Sequence, residues 1–178
     1  MEQVSVRIEG ISPLLQHRFD VPDVDEKSKK KDLKKNMDDV EGYLYRDADG
    51  KIYEPSSHVM MALKYAGAKF QIPGQGKTTY KNIVGGGSVQ IEPFAIPHET
   101  QSWVPDRQAV IVQRAKIVRT RPRFDKWALS FSIEYDDEEI SRETINELLV
   151  YAGRRSGLGD YRPQKGGPYG RFIVTKFE

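Results

Sequence analysis

Polar and apolar residues alternate at the start of the chain, where Val4, Val6 and Ile8 are separated by Ser5, Arg7 and Glu9. A period of two predicts a half-buried strand ending near Gly10. Further along, GYLYRDADGKIYEP has the make-up of a small hairpin with Asp49-Gly50 at its turn. The period then changes. In SSHVMMALKYAGAKF, Val59, Met60, Leu63, Ala66 and Phe70 fall on one helical face, with Ser56 or Ser57 in the N-cap position. SVQIEPFAIP predicts a short strand that Pro93 interrupts. AVIVQRAKIVRTRPRFDKWALSFSIEYD reads as two long strands joined by a turn around Pro122 to Lys126. In the second, Trp127, Leu129, Phe131, Ile133 and Tyr135 share one face, and Ala128, Ser130, Ser132 and Glu134 share the other. SRETINELLVYAG predicts a second helix, with Ser141 as N-cap, Ile140 and Ile145 at the staple positions and Gly153 just past its end. RFIVTKF closes the chain as a strand.

The core order is therefore strand, helix, strand, strand, helix, strand, which predicts an α+β, ferredoxin-like antiparallel sheet with both helices on one face. A chain of 178 residues fits one domain with embellishments. These are a charged insertion over residues 20–42 and an irregular insertion with a short strand over residues 71–106. The bulky face of the Trp127–Tyr135 strand would meet the helices. The small, polar face would stay open to a partner, as it does in RNA-recognition domains of similar topology, although a fold by itself does not assign a function.

Composition narrows the classes. No apolar run is long enough to span a membrane, and MEQVSVRIEG lacks the basic and apolar regions of a secretion signal. The absence of cysteine excludes a disulfide framework, a thiolate zinc site and a cysteine nucleophile. A cytoplasmic protein with no membrane partner is expected. The net charge of +2 hides an uneven distribution. Residues 23–41 carry six lysines against seven acids and read as a solvated insertion, with room for a short helix around Lys29 to Met37. From Arg107 to Lys126, by contrast, seven basic residues face Asp125 alone. From Gly153 onward, Arg154, Arg155, Arg162, Lys165, Arg171 and Lys176 face only Asp160 and Glu178.

Several motifs bear on chemistry. GQGKTT, Gly74 to Thr79, has Gln71 where a phosphate-binding P-loop needs glycine, and it follows a helix instead of preceding one. The glycines at 85–87 do not complete a dinucleotide fingerprint. His17, His58 and His98 lack metal-ligand spacing, and no cofactor or metal is expected. His17, after the first strand, could act as a general base or be an ordinary loop histidine. His58 reads as an ordinary residue of a first helical turn. Asp20, Asp23 and Asp25 could hold a divalent ion or simply be solvated. The stretch GRRSGLGDYRPQKGGPYGRF says more. Its glycines permit close backbone approach to a ligand, its basic residues could neutralise several phosphates, and Tyr161 and Tyr169 could stack on bases. Arg119, Arg121 and Arg123 recur every second residue and would project from one side of a strand next to this loop.

These residues resemble a known family. YEPSSHVMMALKYA, Tyr53 to Ala66, is similar to the I-P-G-S-S-L-K-G-A-L-R segment of the RAMP superfamily, whose members include the backbone subunits of type III CRISPR effector complexes. SGLGDYRPQKGGPYGRF resembles the glycine-rich loop that closes RAMP domains, and VRIEGISPLLQHRF resembles their first strand and its exit. Glu54-Pro55-Ser56 stands in place of Pro-Gly-Ser, Met61-Ala62 stands near the place of Lys-Gly, and the last glycine pair is spread into GGPYG. The resemblance implies a modified RNA-recognition fold whose subunits line up along a guide RNA, with the insertion after the first strand as a thumb. Some members cut target RNA with an aspartate in that loop, and related processing nucleases use a histidine. Asp20 or His17 would be the positions to suspect here.

The expected function is single-stranded nucleic-acid binding, RNA favoured over DNA, without catalysis, in a host CRISPR assembly or a phage-encoded relative. Arg114, Lys116, Arg119, Arg121 and Arg123 would track phosphates along the open sheet face. Ser56, Ser57 and Lys64 would form a second grip with Arg154, Arg155 and the loop residues Gly157, Gly159, Tyr161, Arg162, Lys165, Tyr169, Gly170 and Arg171. Self-association along the strand, or other CRISPR-type subunits, would be the protein partners. An endoribonuclease using His17 or Asp20, and a protein-docking module, are the alternatives.

Overall fold

The computed structural model describes residues 1–19 and 40–178. The helix expected around Lys29 to Met37, and with it Asp20, lies outside the described residues. In chain order the elements are β1 (Glu2–Gly10), β2 (Leu14–Leu15), β3 (Tyr53–Pro55), α1 (Ser56–Gly67), α2 (Lys81–Gly85), β4 (Val89–Glu92), β5 (Ala95–Pro97), β6 (Val104–Val112), β7 (Ala115–Phe124), β8 (Ala128–Tyr135), α3 (Arg142–Arg155) and β9 (Phe172–Phe177). The main sheet has the order β4–β8–β1–β9, with every pair antiparallel. With α1 and α3 this is the ferredoxin-like arrangement.

Alternation sets the register and the core. Val4, Val6 and Ile8 face Ile133, Phe131 and Leu129 across the β1–β8 pair, and all six are buried. Val59, Leu63 and Ala66 of α1 and Ile145, Leu148, Leu149 and Ala152 of α3 cover that face. The opposite face remains accessible, but it is not basic. Arg7 is clamped there by both oxygens of Glu99 at 2.9 Å, bonded also to Glu9, and neighboured by Glu92 and Lys176. Among the described residues no helix is long and apolar enough to cross a membrane.

The helix ends depart from expectation in two places. Neither Ser56 nor Ser57 caps α1. Pro55, the last residue of β3, occupies the cap position without a side-chain bond. The cap of α3 is as expected, with the Thr144 N–H donating to Ser141 Oγ at 3.2 Å and both Ile140 and Ile145 buried. Gly153, however, lies inside α3, which runs two residues further. Gly157, at φ +68°, takes the left-handed position instead, and its N–H reaches the Ala152 carbonyl at 2.9 Å. Gly153 is required by contact with the last strand, since a Cβ there would stand 2.2 Å from the Phe172 carbonyl oxygen. Gly153→Ala is expected to destabilise the fold by about 1–3 kcal/mol through overpacking, measurable as a lower denaturant midpoint with unchanged slope.

The largest departure lies between residues 104 and 126. What reads as one long strand folds back on itself as the β6–β7 hairpin, through a two-residue turn at Gln113 and Arg114 with φ of 48° and 67°. Positive φ at both central residues gives the twist that a tight hairpin prefers. This ribbon belongs to a second sheet, β2–β7–β6. The turn before β8 does not pair the two long strands but carries the chain from one sheet to the other. The second core strand is the short β4, whose Val89 and Ile91 are buried, while alternate positions of β7 are arginines that could not lie under the helices without partners.

Candidate nucleic-acid interface

The chain leaving β1 is stitched to the glycine-rich segment by backbone bonds. Gly170 N–H donates to the Pro13 carbonyl at 2.7 Å, Asp160 N–H to Leu15 at 2.8 Å and Leu158 N–H to Gly170 at 2.9 Å. These approaches leave no room for side chains. A Cβ on Gly159 would meet the Leu15 carbonyl oxygen at 2.3 Å, and one on Gly170 would meet that of Leu158 at 1.8 Å. Gly159 and Gly170 therefore serve contacts within the chain.

This stitching builds a cleft of about 300 Å³. Gln16, His17 and Phe19 beyond β2, Tyr45, Glu54 at the end of β3, His58, Met61 and Ala62 of α1, and the Gly157–Asp160 turn with Arg162 line it. Phe19 and Met61 are the most exposed apolar side chains at its rim, at 80% and 55%.

Two carboxylates organise the cleft. Glu54 is fully buried and lies 2.6 Å from His58 Nδ1 and 3.3 Å from His98 Nε2, while Gln16 Nε2 donates to it at 2.9 Å. Burial pushes the Glu54 carboxyl up, but the hydrogen bonds and charge of His58 and His98 outweigh it and bring it down to about 2. His98 is itself buried against Phe124, with ring centroids 4.6 Å apart, and its Nδ1 has no partner among the described residues. The second carboxylate, Asp160, accepts from Arg121 at 2.6 Å and lies 3.3 Å from His17 Nδ1. Burial again opposes ionisation, and the bonds from His17 and Arg121 overcome it, so this carboxyl stays well below the usual range.

The expected site residues separate into groups. His17, Gly157, Gly159 and Arg162 line the cleft. Arg119, Arg121 and Arg123 do share one face of β7, and that face meets the glycine-rich segment, although the ribbon belongs to a different sheet from β9. Arg121 is only 3% exposed and Arg123 is bound to Asp106 and Asp125, so neither is a free phosphate ligand on the open sheet face. The Arg121 Nε and Nη2 groups have no hydrogen-bond partner among the described residues. Arg114 and Lys116 stand exposed near the ribbon tip, and Arg119 is half-buried. Arg154, Arg155, Lys165 and Arg171 are exposed, Ser57 is exposed, Ser56 is buried, and Lys64 leans on Gly85 of α2. The Tyr161 and Tyr169 rings lie 6.0 Å apart, with Tyr161 beside the Arg121 guanidinium and Gln108 donating to the Tyr169 hydroxyl.

Sequence reasoning missed the Glu54–His58–Gln16 group and the Asp160–Arg121 pair. Glu54 lies in β3, before α1 begins, so its approach to His58 follows no helical spacing and left no local signal. The Arg121–Asp160 contact spans 39 residues and left no local signal.

No protein-family model and no curated protein matches this chain. Among solved structures it is similar to a chain in the cryo-EM structure of the Type III-B Cmr-beta bound to cognate target RNA, with a TM-score of 0.59 and 16% sequence identity. The match covers 99% of this chain and 59% of that one, so the chain spans less than two thirds of its neighbour's length. The likeness is one of fold: the α+β, ferredoxin-like arrangement with antiparallel sheets is shared.

Proposed function

We propose that the chain is a RAMP-type subunit that binds single-stranded RNA within a CRISPR-type ribonucleoprotein. The observation that carries this reading is convergence. The three separated stretches that resemble RAMP proteins, the β1 exit, the start of α1 and the glycine-rich segment, close around one cleft. They do so on a fold similar to that of a chain in an RNA-bound complex. Exposed Arg114 and Lys116 with Arg119 on the ribbon, and exposed Arg154, Arg155, Lys165 and Arg171 near the segment, supply cations for a polyanion. Phe19 and Tyr161, at 80% and 41% exposure, offer faces on which unpaired bases stack. Other subunits, or further copies of this chain along the RNA, complete the assembly.

Titration of labelled mixed-sequence single-stranded RNA and DNA at two salt concentrations tests the reading. Wild type is expected to bind RNA with steep salt dependence. An Arg114/Lys116/Arg119→Ala variant is expected to flatten the log–log salt slope by about 2, at roughly 0.7 per lost phosphate contact. Arg121 and Arg123 are left intact because they hold the fold. Identical slopes for variant and wild type would remove the ribbon from the interface, and a wild type that ignores RNA would sink the reading.

A further inference from the structure

A strand at the edge of a sheet presents backbone N–H and C=O groups that another chain can pair with, and folds therefore blunt their edges. The main sheet does so on both sides. β4 is four residues long and stops at Pro93, while β9 carries Lys176 and a register shift opposite Arg7 and Ile8. The two strands of the ribbon differ. β7 has Lys116 and Arg119 along its length, whereas Ala109-Val110-Ile111-Val112 of β6 is uncharged, and Pro105 guards only the start of that strand. Among the described residues no strand pairs with the outer side of β6.

The register tells which backbone groups of β6 point outward. Pro105 stands directly opposite Pro122 and neither has an N–H, so theirs is a non-hydrogen-bonded pair. Antiparallel alternation puts Ala109 and Ile111 in the same class, with N–H and C=O turned away from β7. The side chains beside them are apolar. Ile111 is 79% exposed, Val118 opposite Ala109 is 65% exposed, and Ala109 is exposed as well. Directly opposed residues share a face, so these three form one apolar group with Lys116 next to it. Arg119, opposite Gln108, lies on the other face, and Arg114 lies in the turn. Residues 108–119 contain these three cations and no carboxylate.

We propose that the outer edge of β6 is a strand-addition site for an extended, acidic segment of a partner protein, which pairs with the backbone of Ala109 and Ile111. Alternate apolar side chains of the added strand lie against Ala109, Ile111 and Val118, and its carboxylates face the side of Arg119 and the Arg114 turn. A phosphate backbone does not match this edge, because phosphates accept hydrogen bonds without donating any, while the edge presents carbonyls beside its amides. A second copy of the chain matches it less well than an acidic strand, because two such ribbons side by side bring like charges together. The inference goes beyond RNA binding and stands whether or not the chain takes RNA.

The probe is a short, end-capped, labelled peptide of alternating glutamate and valine. A lysine–valine version and a glutamate–valine version N-methylated throughout, which cannot donate, are the controls. The full chain is expected to bind the glutamate peptide and neither control. With peptide about tenfold above the measured Kd, hydrogen exchange at Ala109 and Ile111 is expected to slow by about tenfold. Ala109→Pro removes one outward N–H and leaves the ladder to β7 intact, and is expected to weaken binding by about fivefold. The peptide controls test the same pairing on the wild-type chain, however well the proline is tolerated. No binding of the glutamate peptide, equal binding of all three, or binding that leaves both amides unprotected overturns the inference. So does a folded Ala109→Pro variant that binds as wild type does. Protection of the two amides without peptide as protein concentration rises would make a second copy the occupant, and protection by single-stranded RNA would make it RNA; each overturns the inference.

Discussion

Glu54→Ala is expected to lower the unfolding free energy by about 3–5 kcal/mol, because removing one member of a buried charged cluster leaves the others without compensation. Glu54 has 0% exposure and gathers His58, His98 and Gln16. Without it His98, whose Nδ1 already lacks a partner among the described residues, loses the carboxylate at its Nε2. Urea unfolding of Glu54→Ala beside Glu54→Gln measures the effect, the glutamine keeping the shape and one acceptor. The carboxyl's folded-state value of about 2 lies below its ordinary 4.5. Its stabilising contribution is therefore complete above about pH 4.5 and is lost as pH falls toward 2. Glu54→Gln should flatten that part of the acid-unfolding profile. A glutamine variant with the wild-type profile would show that this carboxylate carries none of the acid dependence.

Asp160→Ala is the second large effect, expected at about 3 kcal/mol, the low end for a broken buried pair because the Asp160 side chain is itself 33% exposed. It would leave the Arg121 guanidinium, 3% exposed and without a partner at Nε and Nη2 among the described residues, without the Asp160 carboxylate. That contact ties the β6–β7 ribbon to the glycine-rich segment, and the same carboxylate holds His17. The double variant Asp160→Ala/Arg121→Met should recover most of the loss, since an apolar side chain of similar volume needs no counter-ion. Failure to recover would place the cost in the segment itself. The carboxyl of Asp160 is lowered from its ordinary 3.8, so this contribution too is present above that pH and disappears as pH falls.

Elements defined by their own periodicity were legible in the sequence. β1, the two faces of β8 and the capped start of α3 each depend on neighbours within a few residues, and the structure has them as read; on α1, Val59, Leu63 and Ala66 are buried as read, whereas Met60 is half-buried and Phe70 lies past the helix end. The β6–β7 turn was not legible, because Gln113 and Arg114 take positive φ without the glycine or asparagine that marks such turns. The exchange of β7 for β4 in the main sheet followed from that missed turn. At the site, His17 and the glycine-rich segment stood out by residue type. Glu54 did not, since a lone glutamate before a helix carries no signal until the histidines that surround it are known.

The quoted stretches alone determined the class of the fold, because alternation, helical period and order of elements constrain a small α+β chain to few arrangements. They also determined that basic residues gather in the back half. Only the tertiary structure decided which of those residues are available. Arg121 and Arg123 look identical to Arg119 along the strand, yet two of the three meet carboxylates brought from Asp160, Asp106 and Asp125. It also decided that Gly159 and Gly170 are there for backbone approaches to Leu15 and Leu158, and that a buried glutamate faces two histidines. Both are contacts between residues far apart in the chain, and the pattern of neighbours along a sequence does not record which distant partner a side chain will find.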